Sequence, residues 1–359
     1  MLIVDAHLDL AMNALIANRD LRLSAHETRR IEQAAGLNEE GQGAGTVGFP
    51  DLREAEVGIC LATVCARVRT SPASRLDYRT QESAYGHTQG ELAYYRELAR
   101  QGLVRIITDA ETLETQVVAW QVDPARAPFG LILLMECADA IVDPGQLPLW
   151  WEQGLRVIGL SHYGPGVYAY GTQSVGGITS RGRELLRAME AIGMILDLSH
   201  LVDDGFWEAL DCFSGTVLAS HSNCRALVPG DRQLTDEMIR AVIARDGVIG
   251  SALDAWMLQP GWIQHETRGA SVTLDAYVDH IDHVCQVAGN ARHAAIGTDL
   301  DGGYGIEQTP RDLDTIADLQ RVPELLAQRG YAADDIATIM HGNWLRLFRR
   351  AWSTPQEAT

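Results

Sequence analysis

Histidines and carboxylates recur where apolar runs end. His7 and Asp9 close LIVDAHLDL, Glu136 closes GLILLME, His200 closes GMILDLSH, His221 closes TVLASH and Asp299 closes AAIGTD. Imidazole nitrogen and carboxylate oxygen are ligands for zinc and similar divalent ions, and a catalytic site leaves one position open for water. Three histidines and three carboxylates are too many for one four-coordinate ion, whereas two ions sharing a bridging carboxylate use them all. His7 and Asp9 are two apart, so a strand puts both on one face and within reach of one ion. Two ions ~3.5 to 4 Å apart deprotonate a shared water and polarise a carbonyl together, which is the chemistry of amide or ester hydrolysis. The charges agree: Asp9, Glu136, Asp299 and one hydroxide balance two divalent cations. Without metal, the converging carboxylates repel one another and their pKa values rise. Glu136, at the end of a strand as apolar as LILLM, is costly to leave unpaired. Taken singly, each histidine also fits a buried ring bonded to backbone, and Asp299 also fits a turn with Asp301, Gly302 and Gly303.

The elements that must position these residues follow a rhythm. Strand-like runs occupy residues 2–9, 57–68, 130–136, 155–162, 194–200, 216–221, 247–253 and 293–299. Between them lie segments with helical spacing, such as RGRELLRAMEAIG and LDAYVDHIDHVCQVAG, that close near a glycine suited to a helix C-cap. Strand, helix, glycine, strand predicts an α/β fold of the (β/α)8 TIM-like type, with its active site at the C-terminal ends of the strands. Residues 1–359 form one domain in this reading. A ninth run, LVRIITD at 103–109, is an accessory strand. Residues 20–50 and 163–180 break the rhythm as insertions and, following the first and fourth strands, are expected to cover the mouth. A surface excursion explains the first equally well. The tail from Ala333 to Ala351 reads as a last helix and STPQEAT as a frayed end.

With 359 residues, 46% of them hydrophobic, the chain can bury a large core. The formal net charge is −19, with 48 acidic side chains against 29 basic ones, and every basic one is arginine. This balance argues against a nucleic-acid partner. The absence of lysine excludes both a Schiff-base lysine and a carboxylated lysine bridging two metals. MLIVDAHLDLAMNALIA has no basic leader or small-residue cleavage site, and no run reaches the ~18 apolar residues of a membrane span. A soluble, cytoplasmic protein is the expectation, with no membrane partner. Six scattered cysteines without a CxxC pair predict reduced thiols. His280 and His283, three apart on a helix, are expected to be exposed, and His26, His87, His265, His293 and His341 lack partners for chemistry.

The motifs together resemble the membrane (renal) dipeptidase family of the amidohydrolase superfamily. The likeness runs through His7-x-Asp9, Glu136, GMILDLSH, SHSN and GTDLDG, and extends to GLRVIGLSH ending at His162, RQLTDEMIRAV around Arg232, and HGNWLRLF with Gly342, Asn343 and Arg346. It implies two zinc ions: one held by His7 and Asp9, the other by His200 and His221, with Glu136 bridging. It further implies Asp299 beside the first ion as general base, His162 stabilising the oxyanion, Arg232 gripping a substrate carboxylate, and a homodimer. A capping role for His162 and a surface salt bridge for Arg232 are the competing readings. The activity implied is hydrolysis of the amide bond of a small dipeptide-like substrate through a metal-bridging hydroxide, which makes the chain a metalloprotease. Three stretches depart from the family: Cys137–Ala138–Asp139 after the glutamate, HYGPGVYAYGTQSVGG after His162, and SALDAWMLQP after the seventh run. They sit in substrate territory and motivate an alternative amide, lactone or carbamate substrate. A barrel that binds without catalysis is the rival from outside the enzymes.

Overall fold

A computed structural model describes residues 1–353 except 38, 40, 71–73, 265 and 268. His265 and the STPQEAT end beyond Ser353 therefore lie outside the described residues. Eleven strands appear in it: β1 (Ile3–Leu8), β2 (Val57–Val64), β3 (Arg67–Val68), β4 (Asp77–Tyr78), β5 (Val104–Ile106), β6 (Phe129–Met135), β7 (Leu155–Gly159), β8 (Ile195–Asp197), β9 (Val217–Leu218), β10 (Ile249–Ser251) and β11 (Ala294–Ile296). The main sheet runs β1-β2-β6-β7-β8-β9, with β5 paired to β6. β10 and β11 pair as a second sheet, and all these ladders are parallel. β1, β2, β6 and β7 are buried along their whole length, as parallel strands covered on both faces must be.

The main sheet curls. A parallel bridge between Ala219 and Ile249 leads from the end of β9 to β10, and the Asp299 N–H donates to the His7 carbonyl at 3.2 Å, leading from the end of β11 to β1. Alternate residues of successive strands, among them Val4, Ile59, Leu134, Val157, Ile195 and Leu218, meet in one apolar cluster closed below by Trp344 and Phe348. The sequence periodicity of these strands sets that cluster. Their other faces pack beneath the helices in a larger cluster.

Several strands stop short of their apolar runs. β8, β9 and β11 each end three positions before His200, His221 and Asp299. There the chain leaves the ladder: His200 and Asp299 adopt left-handed backbone, with φ of 64° and 61°. Side chains other than glycine rarely accept that conformation, and it concentrates at functional sites. The run at 57–68 also splits. β2 ends at Val64, and Arg67–Val68 forms a separate small ladder with Asp77–Tyr78.

His280 is buried, contrary to the exposed helix face expected for it, because its Nδ1 accepts the Cys224 N–H at 3.0 Å. His283 is part-buried and pairs with Asp236 at 2.7 Å. All six cysteines carry free thiols. No helix among the described residues is long and apolar enough to cross a membrane.

Candidate metal centre

One oxygen organises the site. Glu136 Oε1 lies 3.5 Å from His7 Nε2, 3.3 Å from His200 Nε2, 3.4 Å from His221 Nε2 and 3.5 Å from His162 Nε2. His200 Nε2 and His221 Nε2 are 3.1 Å apart. On the other flank, His7 Nε2 is 3.9 Å from Asp9 Oδ1 and 3.8 Å from Asp299 Oδ1. His7 Nε2 has no hydrogen-bond partner in spite of complete burial. Asp9 has already left β1, so its approach to His7 comes from the turn after the strand and not from strict alternation. Asp299 does make the turn that competed for it, its carbonyl accepting the Gly302 N–H, while its carboxylate still faces His7.

Burial sets the charge of this cluster. It raises Asp9 to about 7, and it holds Glu136 and Asp299 well above the usual carboxylate range, helped in both by the negative charge of Asp9. It depresses His7 to about 3 and His162, His200 and His221 well below the usual imidazole range. The protein alone thus favours neutral acids and neutral imidazoles, with more nitrogen atoms converging on one carboxyl than its single proton can serve. A divalent cation removes that conflict, since it favours the deprotonated form of every one of these groups. The unpartnered His7 nitrogen and the three overlapping His/Asp/Glu triads, each with ligand atoms within 4.8 Å, fit such an ion.

Behind the rings stands a set of partners that sequence reasoning missed. Ser220 Oγ donates its single proton to Asp197 Oδ2 at 2.5 Å and lies 2.7 Å from His221 Nδ1 and 3.3 Å from His7 Nδ1. With that proton committed, the serine can only accept from both rings, so each carries its hydrogen on Nδ1 and turns a bare Nε2 inward. Thr172 Oγ1 sits 3.1 Å from His200 Nδ1. Thr63 Oγ1 donates to Asp9 Oδ1. Asp5 accepts the Thr298 N–H at 2.8 Å and hydroxyl at 2.6 Å, tying β1 to the turn that carries Asp299. A Cβ at Gly250 or Gly297 would collide with the Ser220 carbonyl, so these glycines let β10 and β11 close on the serine. The missed signal is an acid inside an apolar strand: IVDAHL and ILDL each hold an aspartate that only a buried polar partner can justify.

Arg232 is 3% exposed, which removes the surface salt bridge as its explanation. Its Nη2 donates to the His221 carbonyl at 2.7 Å and its Nη1 to Ser222 Oγ at 3.3 Å. Among the described residues it makes no ion pair within 4.0 Å, and its positive charge acts on the nearby carboxyls of Glu136, Asp254 and Asp299, lowering them against the effect of burial. His162 is not a helix cap; it lies against His200, ring centroids 4.4 Å apart, and its Nδ1 is 3.1 Å from Arg67 Nη1. Tyr163 packs edge-on to both rings. Thr172 and Tyr163 bring the 163–180 segment onto the site, and Asp139, one of the departures after Glu136, accepts the N–H of Val68 and of Val167 at 2.9 and 2.8 Å. From the 20–50 segment, Thr46 donates twice to Asp301 Oδ1, at 2.7 Å each.

A parallel α/β scaffold with this donor set at its strand ends defines a metal-dependent hydrolase. The sequence pattern of the family described as Membrane dipeptidase (Peptidase family M19) matches residues 1–358, and the chain belongs to that family. An uncharacterized dipeptidase of Schizosaccharomyces pombe is 30% identical over 221 residues, covering 60% of this chain and 50% of the relative. Among solved structures, a metallopeptidase of family M19 called dipeptidase AC superposes with a TM-score of 0.79 at 21% identity, over 99% of both chains. A metallopeptidase from Rhodobacter sphaeroides, liganded with a phosphinate mimic of the dipeptide L-Ala-D-Ala, gives 0.76 at 21% identity over 98% of this chain and 99% of that one. These two likenesses establish the shared fold.

Proposed function

We propose that the protein is a binuclear zinc dipeptidase that hydrolyses the amide bond of a small substrate ending in a carboxylate. The observation that carries this reading is the single buried oxygen of Glu136 ringed by imidazole nitrogens, with a buried guanidinium nearby. His7 and Asp9 would hold one ion and His200 and His221 the other, with Glu136 available to both. Such ions, when bound, supply water activation and polarisation of the scissile carbonyl. Asp299, whose Oδ1 lies 3.8 Å from His7 Nε2, would take the proton of the attacking water and deliver it to the leaving amine. His162 donates to the carbonyl oxygen as it gains negative charge. Arg232 fixes the terminal carboxylate by two parallel hydrogen bonds, which orients the scissile bond. The phosphinate dipeptide mimic held by the Rhodobacter relative supports a dipeptide over a longer peptide.

In the same reading the two parallel sheets form one (β/α)8 barrel, supported by the bridge at Ala219–Ile249 and the Asp299–His7 hydrogen bond. Insertions at 20–50 and 163–180 cover its mouth, and the chain works as a cytoplasmic homodimer. A second substrate class, another amide, a lactone or a carbamate, is favoured by one observation: Tyr163, one of the departing residues, packs edge-on to His162. A panel of L,L and L,D dipeptides assayed beside such substrates decides. Turnover confined to the non-peptides overturns the dipeptide reading.

A further inference from the structure

Four imidazoles surround Glu136 Oε1 at nearly equal distance, and distance alone does not distinguish a ligand from a hydrogen-bond donor. Their outer nitrogens do. His7 and His221 face Ser220, whose proton goes to Asp197, and His200 faces Thr172. His162 alone faces a guanidinium, with Arg67 Nη1 3.1 Å from its Nδ1. Arginine keeps its protons in proteins and has no lone pair to offer, so across this contact it can only donate. The Nδ1 of His162 must therefore be the acceptor, and in a neutral ring the hydrogen is left on Nε2, the nitrogen aimed at the centre. A protonated Nε2 cannot ligate an ion. It can donate a hydrogen bond to a developing oxyanion.

We infer that Arg67 is a positioning residue that fixes His162 in the Nε2–H tautomer, which keeps the ring out of the metal ligand set and makes it a permanent donor. Two more of the arginine's protons are committed: Arg67 Nε donates to Asp77 Oδ1 at 2.7 Å and Nη2 to Ser74 Oγ at 2.7 Å, which holds the guanidinium in place behind the ring. The β3–β4 ladder carries both Arg67 and Asp77, and Asp139 anchors that ladder by accepting the Val68 N–H. The small ladder after β2 thereby has a chemical purpose: it delivers a fixed donor to the back of a catalytic ring. The role rests on the assignment of His162 as an oxyanion donor in the proposed hydrolysis.

The test is the tautomer itself. In the zinc-loaded protein labelled with 15N-histidine, with the His162 signals assigned by their loss in His162→Gln, Nδ1 of His162 is expected to show the pyridine-like shift and Nε2 the pyrrole-like one. His7 and His221 are expected to show pyrrole-like Nδ1. A pyridine-like or metal-shifted Nε2 in His162 overturns the inference, whatever the substrate. Arg67→Leu is expected to lower kcat by about 100-fold, the cost of losing an oriented oxyanion donor, with KM changed less than about threefold and the zinc content retained; Arg67→Lys, which keeps a donor, is expected to recover at least about tenfold of the loss. Full kcat in a folded Arg67→Leu protein also overturns it. If Arg67→Leu fails to fold, the wild-type spectrum decides alone. A correct tautomer in a protein that cleaves no dipeptide defeats the substrate assignment and leaves this one standing.

Discussion

The two sides of the centre use the same ring for opposite ends. On the β8–β9 side, the Ser220–Asp197 pair presents an acceptor to the backs of His7 and His221, so their front nitrogens are bare. On the β2–β7 side, Arg67 presents a donor to the back of His162, so its front nitrogen carries a proton. The residue type and the distance to Glu136 are alike on both sides; only the outer partner differs. What a histidine does here is decided one layer behind it.

The largest expected effect separates holding ions from moving protons. Asp299→Asn should retain its metal and lose turnover about 10³-fold, because an amide cannot accept the proton; metal analysis beside steady-state kinetics checks this, and loss of metal in step with activity would make Asp299 chiefly a ligand. Next, Ser220→Ala should weaken metal binding by about 10- to 100-fold, since it frees the tautomers of His7 and His221. Competition with a chelator measures it, and unchanged affinity breaks the contrast with Arg67. Arg232→Ala should raise KM about 30-fold for carboxylate-bearing substrates, corresponding to ~2 kcal/mol of charge-assisted hydrogen bonding, with little change for the corresponding C-terminal amides.

The smallest effect reads the charge of the centre. Burial raises Asp9 to about 7 and holds Glu136 and Asp299 well above the usual carboxylate range, so loading a divalent ion at pH 6 should release protons, and the share from Asp9 should decline above about pH 7. Calorimetry in buffers of different ionisation enthalpy measures it. The sign for stability follows from the same shift: the share from Asp9 is fully present below about pH 4 and is lost as pH rises through about 7. The depressed His7, at about 3, works the other way; its share is present above about pH 6.5 and is lost as pH falls toward 3. Chelated protein should therefore be most stable between these limits, by thermal unfolding.

Much of this was legible in the sequence. Continuous apolar runs, several of them ending in His, Asp or Glu, revealed the eight principal strands, because a parallel strand buried on both faces leaves a continuous apolar record and its end is where polar chemistry begins. The candidate ligands were found for the same reason. Strand ends were less legible, because His200 and Asp299 leave the ladder through left-handed backbone that no composition announces. The partners behind the rings were harder still. Ser220 and Thr172 are ordinary residues whose roles exist only once distant segments meet, and Arg67 lay inside what reads as a continuation of β2. His280 was misjudged because helical spacing does not say which face another segment covers.

The most direct measurement is hydrolysis of a dipeptide panel, each member beside its C-terminal amide, by protein of determined metal content. Two zinc ions per chain are expected, with turnover of dipeptides that chelation abolishes and zinc restores, and a strong preference for the free carboxylate. Protein that retains no metal, or that is fully loaded and cleaves none of the panel, would contradict it.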